Sequence, residues 1–195
     1  LGLYAVSDFV DEPLLEAHGL SGKGNLYKAM DHDANFFAKP VMSDGYEKKE
    51  GSPAQGEAGA FDDLIAVVDF VANSEDTTFA AEIGNWVDLR DYRAWIIMTT
   101  AILGTDSFGK NSYHYHDPNK GPWRVIPWDF NASFGQNWDT SRESHLADPD
   151  VIAPAWNRLF ERLMTDPVIG PATRARYASA LTKDISVAEV LKVLD

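Results

Sequence analysis

The chain has 195 residues, 45% of them hydrophobic and 12% aromatic, enough to bury a real core and to exclude a disordered protein. Thirty acidic residues against 17 basic ones give a formal charge of −13, and the basic residues are scattered, so the positive stripe that a phosphate backbone requires is missing and nucleic acid is excluded as a partner. The absence of cysteine excludes disulfides and thiolate metal sites, and no run approaches the roughly eighteen apolar residues of a transmembrane segment.

In chain order, GLYAVSDFV (2–10) and GNLYKAM (24–30) are short runs rich in β-formers, separated by the helix-like DEPLLEAHG, and together predict a small mixed lobe. LGLYAVSDF carries neither a charged leader nor an initiator methionine, so Leu1 is read as a start within a larger chain or as a processed product. Residues 31–60 show little periodicity and predict a long surface loop or flap with at most one short strand near Tyr46. FDDLIAVVDFVAN (61–73) predicts a helix with Phe61, Leu64, Ile65, Val68 and Val71 on one stripe. DLRDYRAWIIMTTAILG (88–104) predicts a buried helix capped by Asp88.

NSYHYHD and PWRVIPW, joined by the turn DPNKG, predict an antiparallel hairpin. Tyr113 and Tyr115 share one face and Ser112, His114 and His116 the other, while Trp123, Val125 and Pro127 alternate with Arg124, Ile126 and Trp128. Asp106 precedes the first strand and Asp129 follows the second, so the pairing brings both carboxylates to one end, where Asn111 also enters. A loop (132–150) follows, then three helices: APAWNRLFERLMT, PATRARYASALT and SVAEVLKVLD, the last with Ser186 and Glu189 spaced as a capping box.

Asp106 and Asn111 have the D-x-x-x-x-N spacing of a protein-kinase catalytic loop, and Asp129-Phe130-Asn131 stands where the D-F-G metal aspartate would be, reached across a hairpin. With GLYAVSDFVDEPLLEAHG, GNLYK, KNSYHYHDP, GPWRVIPWDFNASFG and WNRLFERLM in that order, nearly the whole chain resembles the CotH kinase family, an atypical protein-kinase-like family; Trp123 to Asp129 is the most specific part. The resemblance implies an α+β, kinase-like fold of a single domain. Residues 1–60 would be the small-lobe remainder with its flap, and 61–195 a larger helical lobe. It implies that Asp106 orients the substrate hydroxyl and accepts its proton, and that Asn111 and Asp129 hold Mg²⁺ on ATP. It further implies that Trp123 and Tyr27 sandwich the adenine with Lys28 nearby, that the substrate is a basic, Ser-rich protein, and that the location is extracellular or on a cell or spore surface. The chain departs from the family pattern at Asp8, where Glu is usual, at Asn131, where an acid is usual, and at GKN, where HN is usual. The phosphate-covering segment and its lysine are expected to precede Leu1.

Each of these residues also has a plain structural reading. Trp123 and Trp128 pack a core by default, and an isolated Asp106 is an ordinary turn or cap residue. His114 and His116 are either hydrogen-bonded structural histidines or, with Asp117, part of a zinc site. GLSGKGN fails as a phosphate loop because glycine follows Lys23, and DHD (31–33) lacks EF-hand spacing for calcium. Three function classes follow: an ATP- and Mg²⁺-dependent Ser/Thr kinase, a catalytically silent kinase-like surface or adhesive module, and a glycosidase built on a Trp-rich cleft with two carboxylates.

Overall fold

The computed structural model describes residues 8–137, 139–142 and 155–194. The fold is α+β. It contains a four-stranded antiparallel sheet in the order β2-β1-β3-β4, formed by β1 (Asn25–Ala29), β2 (Tyr46–Glu50), β3 (Ser112–His116) and β4 (Arg124–Pro127). The helices are α1 (Glu12–Ala17), α2 (Asp62–Asn73), α3 (Asp76–Trp86), α4 (Leu89–Ala101), α5 (Arg158–Thr165), α6 (Gly170–Ser179) and α7 (Val187–Leu194). Most of the strand expected over 2–10 lies outside the described residues, and residues 8–10 are not extended into the sheet. Parts of the expected 132–150 loop and of the start of the 153–165 helix also lie outside them.

The expected hairpin forms, with Ser112 opposite Pro127, Tyr113 opposite Ile126 and His114 opposite Val125. Its turn is closed by Asp117, whose backbone carbonyl accepts from Lys120 N at 3.0 Å and whose side chain accepts from Asn119 N at 3.0 Å. The strand near Tyr46 is β2, and it pairs with β1, which in turn pairs with β3. Residues on both sides of position 60 therefore share one sheet.

Period-2 alternation divides the burial between two faces. Tyr27, Ala29, Trp123 and Val125 join the main core with α2, α4 and α5, while Leu26, Tyr113 and Tyr115 pack with Val10 and Leu15 of the α1 segment on the other side. In α2 the buried stripe is Leu64, Val67, Val68 and Val71; Ile65, expected on it, is exposed because it sits about 100° around the helix from Leu64. Asp88 caps α4, accepting from Arg90 N at 2.9 Å and Asp91 N at 3.1 Å. Helix α3 carries no strong apolar stripe and escapes a periodicity reading; it buries only Phe79 and Ile83. It matters for placement, because Trp123 N donates to Trp86 O at 2.8 Å and Asp88 N to Trp123 O at 2.9 Å, fastening the turn end of the hairpin to the α3–α4 junction.

Candidate active site

At the opposite end of the hairpin, the chain leaves α4 through Leu103, in left-handed conformation (φ 54°), and Gly104, whose N donates to Thr99 O at 2.8 Å. A 3₁₀ turn over Thr105–Ser107 then carries Asp106. Asn111 is fixed by its backbone between two strands, donating to Ala29 O at 3.2 Å and accepting from Trp128 N at 3.0 Å. Its Nδ2 donates to Asp106 Oδ2 at 3.0 Å, so these two expected site residues are brought together. Ser107 Oγ donates to the Asp129 backbone carbonyl at 3.4 Å, which sets the start of the segment after β4 beside the same turn.

Asn111 (φ 57°) and Asp129 (φ 54°) both hold the left-handed conformation. Asn and Asp tolerate it better than other non-glycine residues, and such backbone clusters at ligand and active sites. The Asn111 amide, with its nitrogen turned to Asp106, leaves its oxygen as an acceptor, and the Asp129 carboxylate is exposed. An amide oxygen and a carboxylate are hard oxygen donors of the kind Mg²⁺ takes, so the donor set fits that ion.

Around Asp106 the surroundings are half-buried. Lys110 Nζ lies 3.0 Å and His32 Nε2 3.5 Å from its Oδ1. A cavity of about 380 Å³ opens beside it, lined by His32, Thr105, Asp106, Ala132, Asn137 and Trp156. Asn157 braces the loop from α5: its side chain caps that helix, accepting from Phe160 N at 3.1 Å, and donates to Phe108 O. Lys110, His32, Trp156 and Asn157 were not among the expected site residues. Only Lys110 has a local signal, its i,i+4 spacing from Asp106.

The base-binding residues are arranged differently from the expected sandwich. Tyr27 and Trp123 do meet, but with ring centroids 5.7 Å apart, and they are 0% and 2% exposed. That is direct aromatic contact, with no gap for a base between the rings. Lys28, next to Tyr27 in a strand, lies on the other face of the sheet, its Nζ 5.8 Å from the Tyr113 ring centre. The nearest stacking partner of Trp123 is His116, parallel to it within 10° at 4.6 Å.

Asp63 organises this closed end. Its carboxylate accepts from Asn25 Nδ2 at 2.7 Å and from Tyr27 Oη at 2.5 Å, and pairs with His116 Nδ1 at 2.8 Å. Burial alone would raise its pKa, but the hydrogen bonds from His116, Tyr27 and Asn25 outweigh burial and hold it below the usual carboxylate range. His114 is fully buried between Tyr92 Oη (3.0 Å, Nδ1) and Ser112 Oγ (3.2 Å, Nε2), and burial pushes its pKa down to about 3. With both ring nitrogens engaged it is a neutral structural histidine and has no nitrogen left for a zinc site with His116.

Two comparisons bear on this geometry. The profile of the family described as CotH kinase protein matches residues 1–192. The chain is also 28% identical over 176 residues to the inner spore coat protein H of Bacillus subtilis (strain 168), an alignment covering 85% of this chain and 45% of that protein. The chain thus spans less than half the length of that relative.

Proposed function

Since the chain belongs to the CotH kinase protein family, we propose that it is an ATP- and Mg²⁺-dependent protein Ser/Thr kinase whose chemistry lies at the open end of the hairpin. The observation that carries this reading is the meeting of Asp106 and Asn111, 3.0 Å apart, beside a turn that also binds the Asp129 backbone. Asp106 orients an acceptor hydroxyl and takes its proton as the oxygen bonds to the γ-phosphorus of ATP, whose bond to the β–γ bridging oxygen breaks and releases ADP. Asn111 and Asp129 would hold the metal. Bound Mg-ATP would supply the phosphoryl group and neutralise the charge that develops on it. The remaining demand on the protein is position, which the strands on either side of Asn111 and the cap at Asn157 provide.

Following the printed name of the spore-coat relative, we place the protein in a spore coat; the excess of acidic over basic residues in the 31–60 flap supports a basic, Ser-rich protein as its substrate. No helix among the described residues is long and apolar enough to cross a membrane. A second reading, a catalytically silent kinase-like surface module, is favoured by one observation: the Tyr27–Trp123 contact closes the space that the family resemblance assigns to adenine.

A pair of variants tests the first reading. Asp129→Ala is expected to abolish Mg-ATP binding in calorimetry. Asp106→Ala is expected to bind normally and to lose phosphate transfer by about 10²–10⁴-fold. If both variants bind nucleotide and label an acceptor protein like the parent, neither residue has its assigned role.

A further inference from the structure

The Asp106 carboxylate is approached from both sides by three side chains, one through a hydrogen bond and two through charge contacts. Asn111 Nδ2 takes Oδ2, while Lys110 Nζ and His32 Nε2 converge on Oδ1 at 3.0 and 3.5 Å. We propose that Lys110 and His32 are positioning residues for Asp106, fixing the oxygen that receives the acceptor proton. The assignment rests on the reading of Asp106 as the catalytic base.

Three segments contribute to this arrangement. Lys110 comes from the same loop as Asp106, one turn further on, and its side chain is 29% exposed against 16% for Asp106. An ion pair this far from bulk water is less weakened by screening than a fully exposed one. His32 comes from the flap, whose first turn is closed by Ala34 N donating to Asp31 O at 2.9 Å. Three contacts hold that turn in place, one against the loop of Asp106 and two beside the start of α5. A Cβ at Gly109 would lie 2.6 Å from the His32 carbonyl oxygen and 2.9 Å from its Cα, so the approach is open only to glycine. Beyond it, Arg158 N donates to Asn35 O at 2.8 Å, tying the flap to the first turn of α5, and Trp156 presents its ring edge-on to the His32 imidazole at 5.7 Å.

A carboxylate on a short 3₁₀ turn has free rotation about its own side-chain bonds. An error of about 1 Å in a reacting group costs of order 10²-fold in rate, so donors that lock its rotation act on transfer without touching nucleotide. The plain alternative is a pair of surface contacts that contribute nothing to rate. A second alternative is that Lys110 contacts the nucleotide itself. The two positioning residues differ in kind: Lys110 is carried by the site's own loop, whereas His32 makes the orientation of Asp106 depend on where the flap sits.

A double-mutant cycle in the full chain distinguishes these cases. Lys110→Met is expected to lower kcat about tenfold, with the KM for Mg-ATP and the thermal shift produced by Mg-ATP unchanged within about twofold. Lys110→Arg should restore most of the rate. His32→Ala should lower kcat severalfold, and His32→Gln, which keeps a donor, should recover it. In an Asp106→Asn background neither Lys110→Met nor His32→Ala should cost more than about twofold further. As a readout separate from turnover, the ¹³C carboxyl resonance of Asp106 should move in Lys110→Met and in His32→Ala without nucleotide present.

Additive losses in the Asp106→Asn background, an unmoved carboxyl resonance, or a raised Mg-ATP KM at constant kcat would each overturn the assignment while leaving the kinase reading in place. A parent protein that binds Mg-ATP and transfers no phosphate would overturn the kinase reading, and the assignment with it.

Discussion

The two ends of the β3–β4 hairpin are built on opposite principles. At the open end, Asp106, Asn111 and Asp129 gather around half-exposed backbone, two of them in left-handed conformation, beside a cavity of about 380 Å³. At the turn end, Trp123 stacks on His116 and packs at a tilt against Tyr27, and Asp63 satisfies polar atoms of Tyr27, His116 and Asn25. One end spends polar groups on an open site; the other uses them to close a core. In the proposed kinase reading the open end is the metal end and the turn end the base end; the rings at the turn end are packed together and act first as structure.

Truncation should separate the ends most sharply in stability. Trp123→Ala is expected to cost about 3–5 kcal/mol, as large-to-small changes of buried aromatics do, whereas Asp129→Ala should cost only about 1 kcal/mol in a denaturant melt, the strain of alanine held in the left-handed conformation. A mild effect of Trp123→Ala would mean that the ring is poised for ligand after all.

The strained end offers a finer probe. Asn111→Ala forces an ordinary side chain into the left-handed region and should lose about 1 kcal/mol or more of stability, while Asn111→Gly removes that strain. Both should abolish transfer, because neither supplies an amide to Asp106 or an oxygen to the metal. Equal melting temperatures for the two variants would show that the conformation stores no strain.

Acid should act on the buried polar groups His114 and Asp63. His114 is neutral when folded, with a pKa of about 3 against an ordinary 6.5, so the unfolded chain binds more protons between those values and stability falls as the pH drops through that window. The slope can reach about 1.4 kcal/mol per pH unit. Asp63 adds to the loss at still lower pH, because its depressed pKa contributes stability above the ordinary carboxylate value that disappears as it protonates. Melting temperature against pH for the parent and for His114→Gln checks this: the variant should have a lower plateau and a flatter acid limb.

The smallest effect expected is on substrate choice. The flap residues 31–60 contain Asp31, Asp33, Asp44, Glu47, Glu50 and Glu57 against Lys39, Lys48 and Lys49. Of those lysines, Lys48 is buried on the Ala60 carbonyl and Lys49 pairs with Glu47. A Ser peptide flanked by Arg and Lys should therefore be labelled severalfold faster than one flanked by Asp and Glu at low salt, and the preference should fade as salt rises. Preference for the acidic peptide would remove charge as a selector.

Much of this was legible in local sequence. The hairpin follows from strict alternation around DPNKG, and so does the placement of Asp106 and Asn111 at one end of it, though not the hydrogen bond between them. The Asp88 cap followed from its place before an apolar run. What escaped depends on contacts between distant residues. Asp63 reads as an ordinary acid in the first turn of α2, and nothing local announces that Asn25, Tyr27 and His116 converge on it. His32 sits 74 positions from Asp106, and the glycine that lets it approach is recognisable only once the backbones are in place. The adenine sandwich was an inference from resemblance, and the ring separation set by the sheet and the α3–α4 junction runs against it.

Titration calorimetry of ATP into the parent protein, with Mg²⁺ and again in EDTA, tests the central claim most directly. A chain of charge −13 repels a polyphosphate, so the metal that Asn111 and Asp129 are proposed to hold should be required. The account predicts binding with Mg²⁺ and loss of measurable heat in EDTA. Equal affinity in the two buffers, or no binding in either, would contradict it.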